Sequence, residues 1–330
     1  MKKNIGIVIG VVVVIVALLI AFKPANAEKK LDEVYNHLQQ YEVTGEMEIA
    51  SGEDFKNYNI TVGYQLVDGV EYFKVVMYDK SINQQQEILR NTDGVFVITP
   101  NLNQVFKFEG DWPNNSPKPY LLQNIKDVLN QEYTMQKKEQ TYILNSIATY
   151  SSVPSLVRQE IVFDKSMKPL SLVGYTVDDA IVLKVSFNKV DFDPIFDKDY
   201  FATPNKNLEA SVVSSQLEYS LPWYPMQTFE AILTNEDVMV VNDGKQHVLE
   251  FSGDKNFTIV QKEMSRNENL EVQTVSGTFV NELNLVGYYR ENCLTVMSEQ
   301  IEISVYSSEL GMDEMLQVVQ SLQVAMLNSK

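Results

Sequence analysis

Residues 88–108 read ILRNTDGVFVITPNLNQVFKF, and the fold turns on how this stretch is understood. Asp93-Gly94 and Pro100-Asn101 are turn signals, so the stretch divides into short strands joined by tight turns. A strand with one wet face alternates apolar and polar residues. Here Val95, Phe96, Val97 and Ile98 are apolar in succession, and Phe106 and Phe108 follow. Such a run fits a strand covered on both faces, or one wall of an apolar cavity. Val95, Val97 and Phe106 are the candidates for the wall facing interior helices, with Phe96, Ile98 and Phe108 on the other face or in a neighbouring layer; a one-residue slip exchanges the two sets.

The segments before it alternate cleanly. In EVTGEMEIA, Val43, Met47 and Ile49 share one side and Glu42, Thr44, Glu46 and Glu48 the other. In YNITVGYQL, Tyr58, Ile60, Val62, Tyr64 and Leu66 share a face. VEYFKVVMY (70–78) continues the series, and further strand patterns fall at 132–148, 156–164, 169–176 and 181–190. Two helical stripes interrupt the strands: Leu31, Val34, Tyr35 and Leu38, then Leu121, Leu122, Ile125, Val128 and Leu129. Beyond an acidic, proline-bearing stretch at 191–210 come VMVV, an Asn242-Asp243-Gly244 hairpin signal and more strands. Met315, Leu316, Val319 and Leu322 then repeat with helical spacing.

The pattern predicts a mainly β (α+β) chain: a large antiparallel sheet with few helices, followed by a smaller α+β domain. The expected segments are 1–27, 28–204 and 205–330. A sheet with one apolar face must cover it, and two short helices are at hand. A curved sheet closing partly over them leaves apolar space between. Val62, Tyr64, Phe73, Val95, Val97, Phe106, Trp112, Tyr120, Leu121 and Ile125 are the candidate lining of that cavity. Among the aromatics, Tyr58, Tyr64, Phe73, Phe96, Phe106, Phe108, Trp112 and Tyr120 could line such a cavity, while the pattern alone favours an ordinary core.

Charge and chemistry narrow the function. The formal net charge of −17 excludes nucleic acid as an expected partner, because phosphate binding needs a basic face. Lys2 and Lys3 precede an apolar run from Ile5 to Phe22. Its length of roughly 27 Å matches a hydrocarbon core, so an uncleaved membrane anchor is expected. Ala25-Asn26-Ala27 resembles a small-residue cleavage site, and cleavage after Ala27 would give a secreted protein instead. Either way residues 28–330 are expected outside the cytoplasm. Cys293, the one cysteine, permits no intrachain disulfide, and its strand-like setting suits a plain buried thiol. His37 and His247 belong to no paired ligand spacing, and no nucleophile elbow or phosphate-binding glycine loop is present. Asp191, Asp193, Asp197 and Asp199 carry the right donors for calcium, but Pro194 breaks the spacing and a loop glycine is missing. A solvated linker is the expectation there. No metal, cofactor or catalytic residue is predicted.

A family likeness rests on EILRN-x-DGVFVITPNLNQVFKFEGDWPNN, from Glu87 on, with YLLQNI after it. Glu87, Arg90, Asn91, Asp93, Gly94, Pro100, Asn103, Gln104, Phe106, Phe108, Trp112 and Pro113 carry it, and FATP at 201–204 looks like the usual close of the sheet. The run resembles the LolA/RseB superfamily, most of all LolA-like sporulation and germination proteins of spore-forming bacteria. The resemblance implies a half-open antiparallel barrel with helices under its concave face and no enzyme activity. In carriers of this type the cavity holds acyl chains of a lipoprotein; in RseB-like relatives a second domain contacts a protein partner. Carriers latch a lid with an arginine on an early strand, whereas no arginine precedes Arg90 here. The expectation is a membrane-anchored, extracytoplasmic, non-catalytic binding protein with an apolar cavity for acyl chains or a lipidated protein. The alternative is an envelope or sporulation/germination scaffold, or an RseB-like regulator. It would act through an envelope or cell-wall protein partner, with a packed core and no lipid.

Overall fold

The computed structural model describes residues 25–51, 54–80, 84–108, 112, 118–148, 150, 153, 155–209, 221–241, 244–282, 285–298 and 300–324. The apolar run from Ile5 to Phe22 and the turn residues Asn242 and Asp243 lie outside them. Among the described residues no helix is long and apolar enough to cross a membrane.

In chain order the elements begin with helix α1 (Ala25–Asn36), β1 (Gln40–Ser51), β2 (Asp54–Val67), β3 (Val70–Asp79), β4 (Gln84–Asn91) and β5 (Gly94–Thr99). A 3-10 turn (Pro100–Leu102) leads to β6 (Gln104–Phe108) and α2 (Gln123–Leu129). Next come β7 (Tyr133–Lys138), β8 (Thr141–Ile147), β9 (Arg158–Phe163), β10 (Pro169–Tyr175) and β11 (Ile181–Asp191). The later strands are β12 (Trp223–Pro225), β13 (Ile232–Val241), β14 (Gly244–Ser252), β15 (Phe257–Glu263), β16 (Glu271–Val275) and β17 (Thr278–Asn281). The chain continues through β18 (Val286–Arg290), β19 (Cys293–Ser298), β20 (Ile301–Tyr306), α3 (Met312–Gln320) and β21 (Leu322–Val324). The described architecture is therefore mainly β with three helices, in open sheets, as the alternation predicts and as a curved half-open fold requires.

Two compact units divide the chain: the described residues of Met1–Val62 with Pro117–Pro194, and those of Gly63–Ser116 with Ile195–Lys330. In the first unit the strand order is β2-β1-β11-β10-β9-β8-β7. Tyr41, Val43, Met47 and Ile49 of β1 are buried, matching the period read from the sequence. A bulge falls between Thr44 and Gly45, where any added Cβ would strike the Ser186 carbonyl of β11. Helix α1 buries Leu31 and Tyr35; the Tyr35 ring meets Phe163 edge-on at 6.2 Å, and its hydroxyl donates to the Met167 carbonyl at 3.0 Å. The start of α2 is tied to β1, because the Tyr41 hydroxyl accepts from Leu122 N–H at 3.3 Å and donates to Gln123 Oε1 at 2.6 Å.

From Gly63 on, β2 belongs to the second unit, where β3, β4, β5 and β6 follow it as an antiparallel meander. β16 adds to the far side of β6 in parallel, with Val272 opposite Val105 and Thr274 opposite Lys107. A second, seven-stranded sheet runs β13-β14-β15-β20-β19-β18-β17. Its core gathers Leu249, Ile259, Leu294, Ile303 and Val305 with Met315 and Val318 of α3. Leu322, placed by its spacing in the final helix, instead follows it: α3 stops at Gln320, and Leu322 pairs with Pro225 of β12.

Candidate functional site

The double apolarity of β5 has a direct cause: both faces of the β4–β5–β6 strands are covered. On one face Leu89, Phe96, Ile98 and Val105 form a buried cluster beneath Phe201, Leu208 and Leu270. Polar side chains of the 88–108 stretch fasten this cover. Asn91 donates to the Phe201 carbonyl at 3.0 Å and to Thr203 Oγ1 at 3.1 Å. Asn103, held in the left-handed region at φ 53°, accepts from Leu208 N–H at 2.9 Å and donates to the Asn267 carbonyl at 3.1 Å. Arg266 reaches back from the covering segment to the carbonyls of Pro100, Asn101 and Leu208.

The opposite face carries two cross-strand rows. Register aligns Val75, Ile88, Val97 and Phe106 in one, and Phe73, Arg90, Val95 and Phe108 in the other. Phe108 therefore shares a face with Val95 and Phe106 rather than with Phe96 and Ile98. The two-residue period within β6 requires this, and the sequence assignment of Phe108 to the other side is corrected. Phe106 and Phe108 lie 6.5 Å apart, and Phe108 packs on Phe279 at 4.6 Å. Arg90, in the same row, turns its guanidinium to the Trp112 carbonyl at 2.7 Å and to Glu71 at 3.3 Å. That clamp positions Trp112 beside Phe73, ring centroids 5.7 Å apart, and Phe73 meets Tyr64 at 4.7 Å.

All ten candidate cavity residues are buried. Tyr64, Phe73, Val95, Val97, Phe106 and Trp112 fall in the second unit; Val62, Tyr120, Leu121 and Ile125 fall in the first. Tyr64, Phe73 and Trp112 touch in sequence, and Val97 faces Phe106 across the ladder. Phe108 joins the same face, and so do Val75 and Ile88, which the sequence pattern does not mark as lining. Counting register outward from the Asp93-Gly94 turn would have found them. Trp112 has no exposed surface, and its indole Nε1–H has no acceptor among the described residues. A buried donor left unmatched costs about 1–3 kcal/mol, so this N–H is the polar feature of an otherwise greasy wall.

Elsewhere the chemistry is plain. His37 is exposed and bonded to the Glu33 carbonyl. Asp191 accepts from Asp193 N–H, Gln40 donates to Asp193, and among the described residues no cluster of three metal-ligating side chains occurs. A groove of about 650 Å³ in the first unit is lined by Glu28, Tyr133, Asn145, Ile147 and Arg158 among others. Its arginine is already committed to Asp179 at 2.7 Å and to the Tyr175 ring at 3.9 Å.

No family model matches the chain. It is 29% identical over 307 residues to sporulation protein YdcC of Bacillus subtilis (strain 168), spanning 89% of this chain and 88% of that protein. Among solved structures, MucB aligns with 90% of this chain and 98% of its own at 11% identity and a TM-score of 0.37. An outer membrane lipoprotein-sorting protein domain from Vibrio parahaemolyticus aligns with 90% of this chain and 96% of its own, at 12% identity and a TM-score of 0.26. Several residues that carried the likeness in sequence, Arg90, Asn91, Asn103 and Trp112, are the ones that clamp the two faces of the hairpin.

Proposed function

We propose that this chain is a non-catalytic, extracytoplasmic binding protein that shelters an apolar chain: the acyl group of a lipid or of a lipidated protein. The observation that carries this reading is Trp112, fully buried against Phe73, with an indole N–H that no group among the described residues accepts. An acyl ester or amide would bring a carbonyl to take that N–H and a hydrocarbon to share the buried face of Val97 and Phe106. The apolar run Ile5–Phe22 would hold the protein at the outer side of the cell membrane. The Bacillus subtilis relative is named a sporulation protein, and a sporulation role is part of the reading. Tyr64, Phe73, Val95, Val97, Phe106 and Trp112, all of the second unit, are its proposed lining.

The test is to purify the protein from its membrane and identify co-purifying lipid by mass spectrometry, then titrate it with a fluorescent fatty acid. Bound lipid, with uptake weakened by Trp112→Phe in protein whose circular dichroism matches the wild-type chain, supports the reading. Lipid-free protein that takes up no fatty acid overturns it and leaves a scaffold that works through a protein partner.

A further inference from the structure

Strand β13 is the open edge of the seven-stranded sheet, and every residue from Ile232 to Val240 is exposed. Val240 is 81% and Ile232 69% exposed, with Val238 and Met239 about half so. A sheet strand ordinarily buries at least one face. A long edge strand with apolar ends and neither face covered is a template on which another strand can pair.

The register shows which backbone groups the edge offers. β13 pairs with β14 alone, Asp237 opposite Val248, Met239 opposite Gln246 and Val241 opposite Gly244. The Val238 N–H donates to the Asp237 carboxylate at 2.8 Å, so it points off that ladder. Because ladder bonds recur every second residue, the N–H and C=O groups of Glu236 and Val240 point the same way. Two carboxylates sit side by side at mid-strand. Glu236 is fixed by the Tyr224 hydroxyl at 2.9 Å, and Asp237 guards the Val238 amide. No lysine or arginine lies within the strand.

These charges select the occupant. A second copy paired antiparallel about mid-strand would set Glu236 against Glu236 or Asp237 against Asp237, which like charges oppose. Pairing only Val238–Val241 with itself would use four residues. We propose that β13 receives an extended segment of another protein, hydrogen-bonded along this edge, with basic side chains opposite Glu236 and Asp237 and apolar ones opposite Val238, Met239 and Val240. The site is independent of the acyl-binding wall.

Two ten-residue peptides test it, one alternating valine with lysine and one alternating valine with glutamate. Each is titrated by fluorescence anisotropy against the full-length protein in mild detergent, and amide exchange is followed by NMR. The basic peptide is expected to bind at least about tenfold more tightly and to slow exchange at Glu236 and Val240. Val240→Pro removes an outward N–H and spares the β14 ladder, so binding should fall about tenfold with the unfolding midpoint and fatty-acid uptake unchanged. Glu236→Lys with Asp237→Lys, both on exposed positions, should reverse the preference toward the acidic peptide. Equal binding of the two peptides, no binding of either, or no reversal overturns the proposal. So does protection of β13 amides by raised protein concentration alone, which would assign the edge to a second copy. Protection only on adding phosphatidylglycerol vesicles would assign it to a lipid surface.

Discussion

Asn103 shows how one side chain can hold two segments onto a strand pair. Its carboxamide uses both ends, accepting from Leu208 and donating to Asn267, while its backbone occupies a conformation that asparagine tolerates better than most residues. Asn103→Ala should cost about 1–3 kcal/mol in urea unfolding, and Asn103→Gly less, since glycine keeps the backbone and loses only the bonds. A loss equal in the two variants would mean that the backbone conformation contributes nothing. Tyr35 supplies a pH prediction at the same scale. Burial, then Asp164 and Tyr41, hold its phenol well above the usual range, and burial alone pushes Tyr150 up. An unfolded tyrosine ionises near pH ~10. The stability from these neutral phenols is therefore complete below that pH and is lost as pH climbs toward the folded values. The unfolding midpoint should fall between about pH 9 and pH 11, and Tyr35→Phe and Tyr150→Phe should each shrink that fall, which a pH series of thermal melts would measure.

At the scale of elements, the β5–β6 hairpin departs from a half-exposed strand because it has no solvent face. Phe96→Asp on one side and Val97→Asp on the other should both be severely destabilising, since each would bury an unpaired carboxylate. Phe96→Ala should cost about 3–5 kcal/mol. If Phe96→Asp folds as well as the wild-type chain, the cover formed by Phe201, Leu208 and Leu270 is absent in solution. Much of this element was legible in advance. Turn chemistry at Asp93-Gly94 and Pro100 fixed its ends, and continuous apolarity announced two covered faces. The cover itself was not legible, because Leu208 and Leu270 lie about a hundred residues or more along the chain and carry no periodic signal. The assignment of Phe108 failed for a simpler reason: without a fixed register, residues two apart in β6 were split between faces that period two unites. VMVV marked β13 as a strand, but its exposure was not legible, since composition reports hydrophobicity and not which neighbours arrive to cover it.

For the whole molecule, the composition break near residue 204 does not mark where contacts stop within the second unit. β16, Arg266 and Leu270 all return to β6 and the turn before it. A fragment ending at residue 204 should lose that edge and that cover, and should unfold at lower urea than the full chain or aggregate through β6. Equal stability of fragment and full chain would show the cover to be dispensable. The net charge of −17 adds self-repulsion that salt screens, so the melting temperature should rise modestly between about 10 mM and 150 mM salt.

The buried indole of Trp112 gives the most direct measurement. Only two tryptophans occur, so their side-chain N–H signals are separable in a nitrogen-15 NMR spectrum. On titration with a palmitoylated peptide, the Trp112 resonance should move downfield as it acquires an acceptor, while that of Trp223 stays in place. A Trp112 signal that holds its position at saturating peptide would contradict an acyl ligand on this wall.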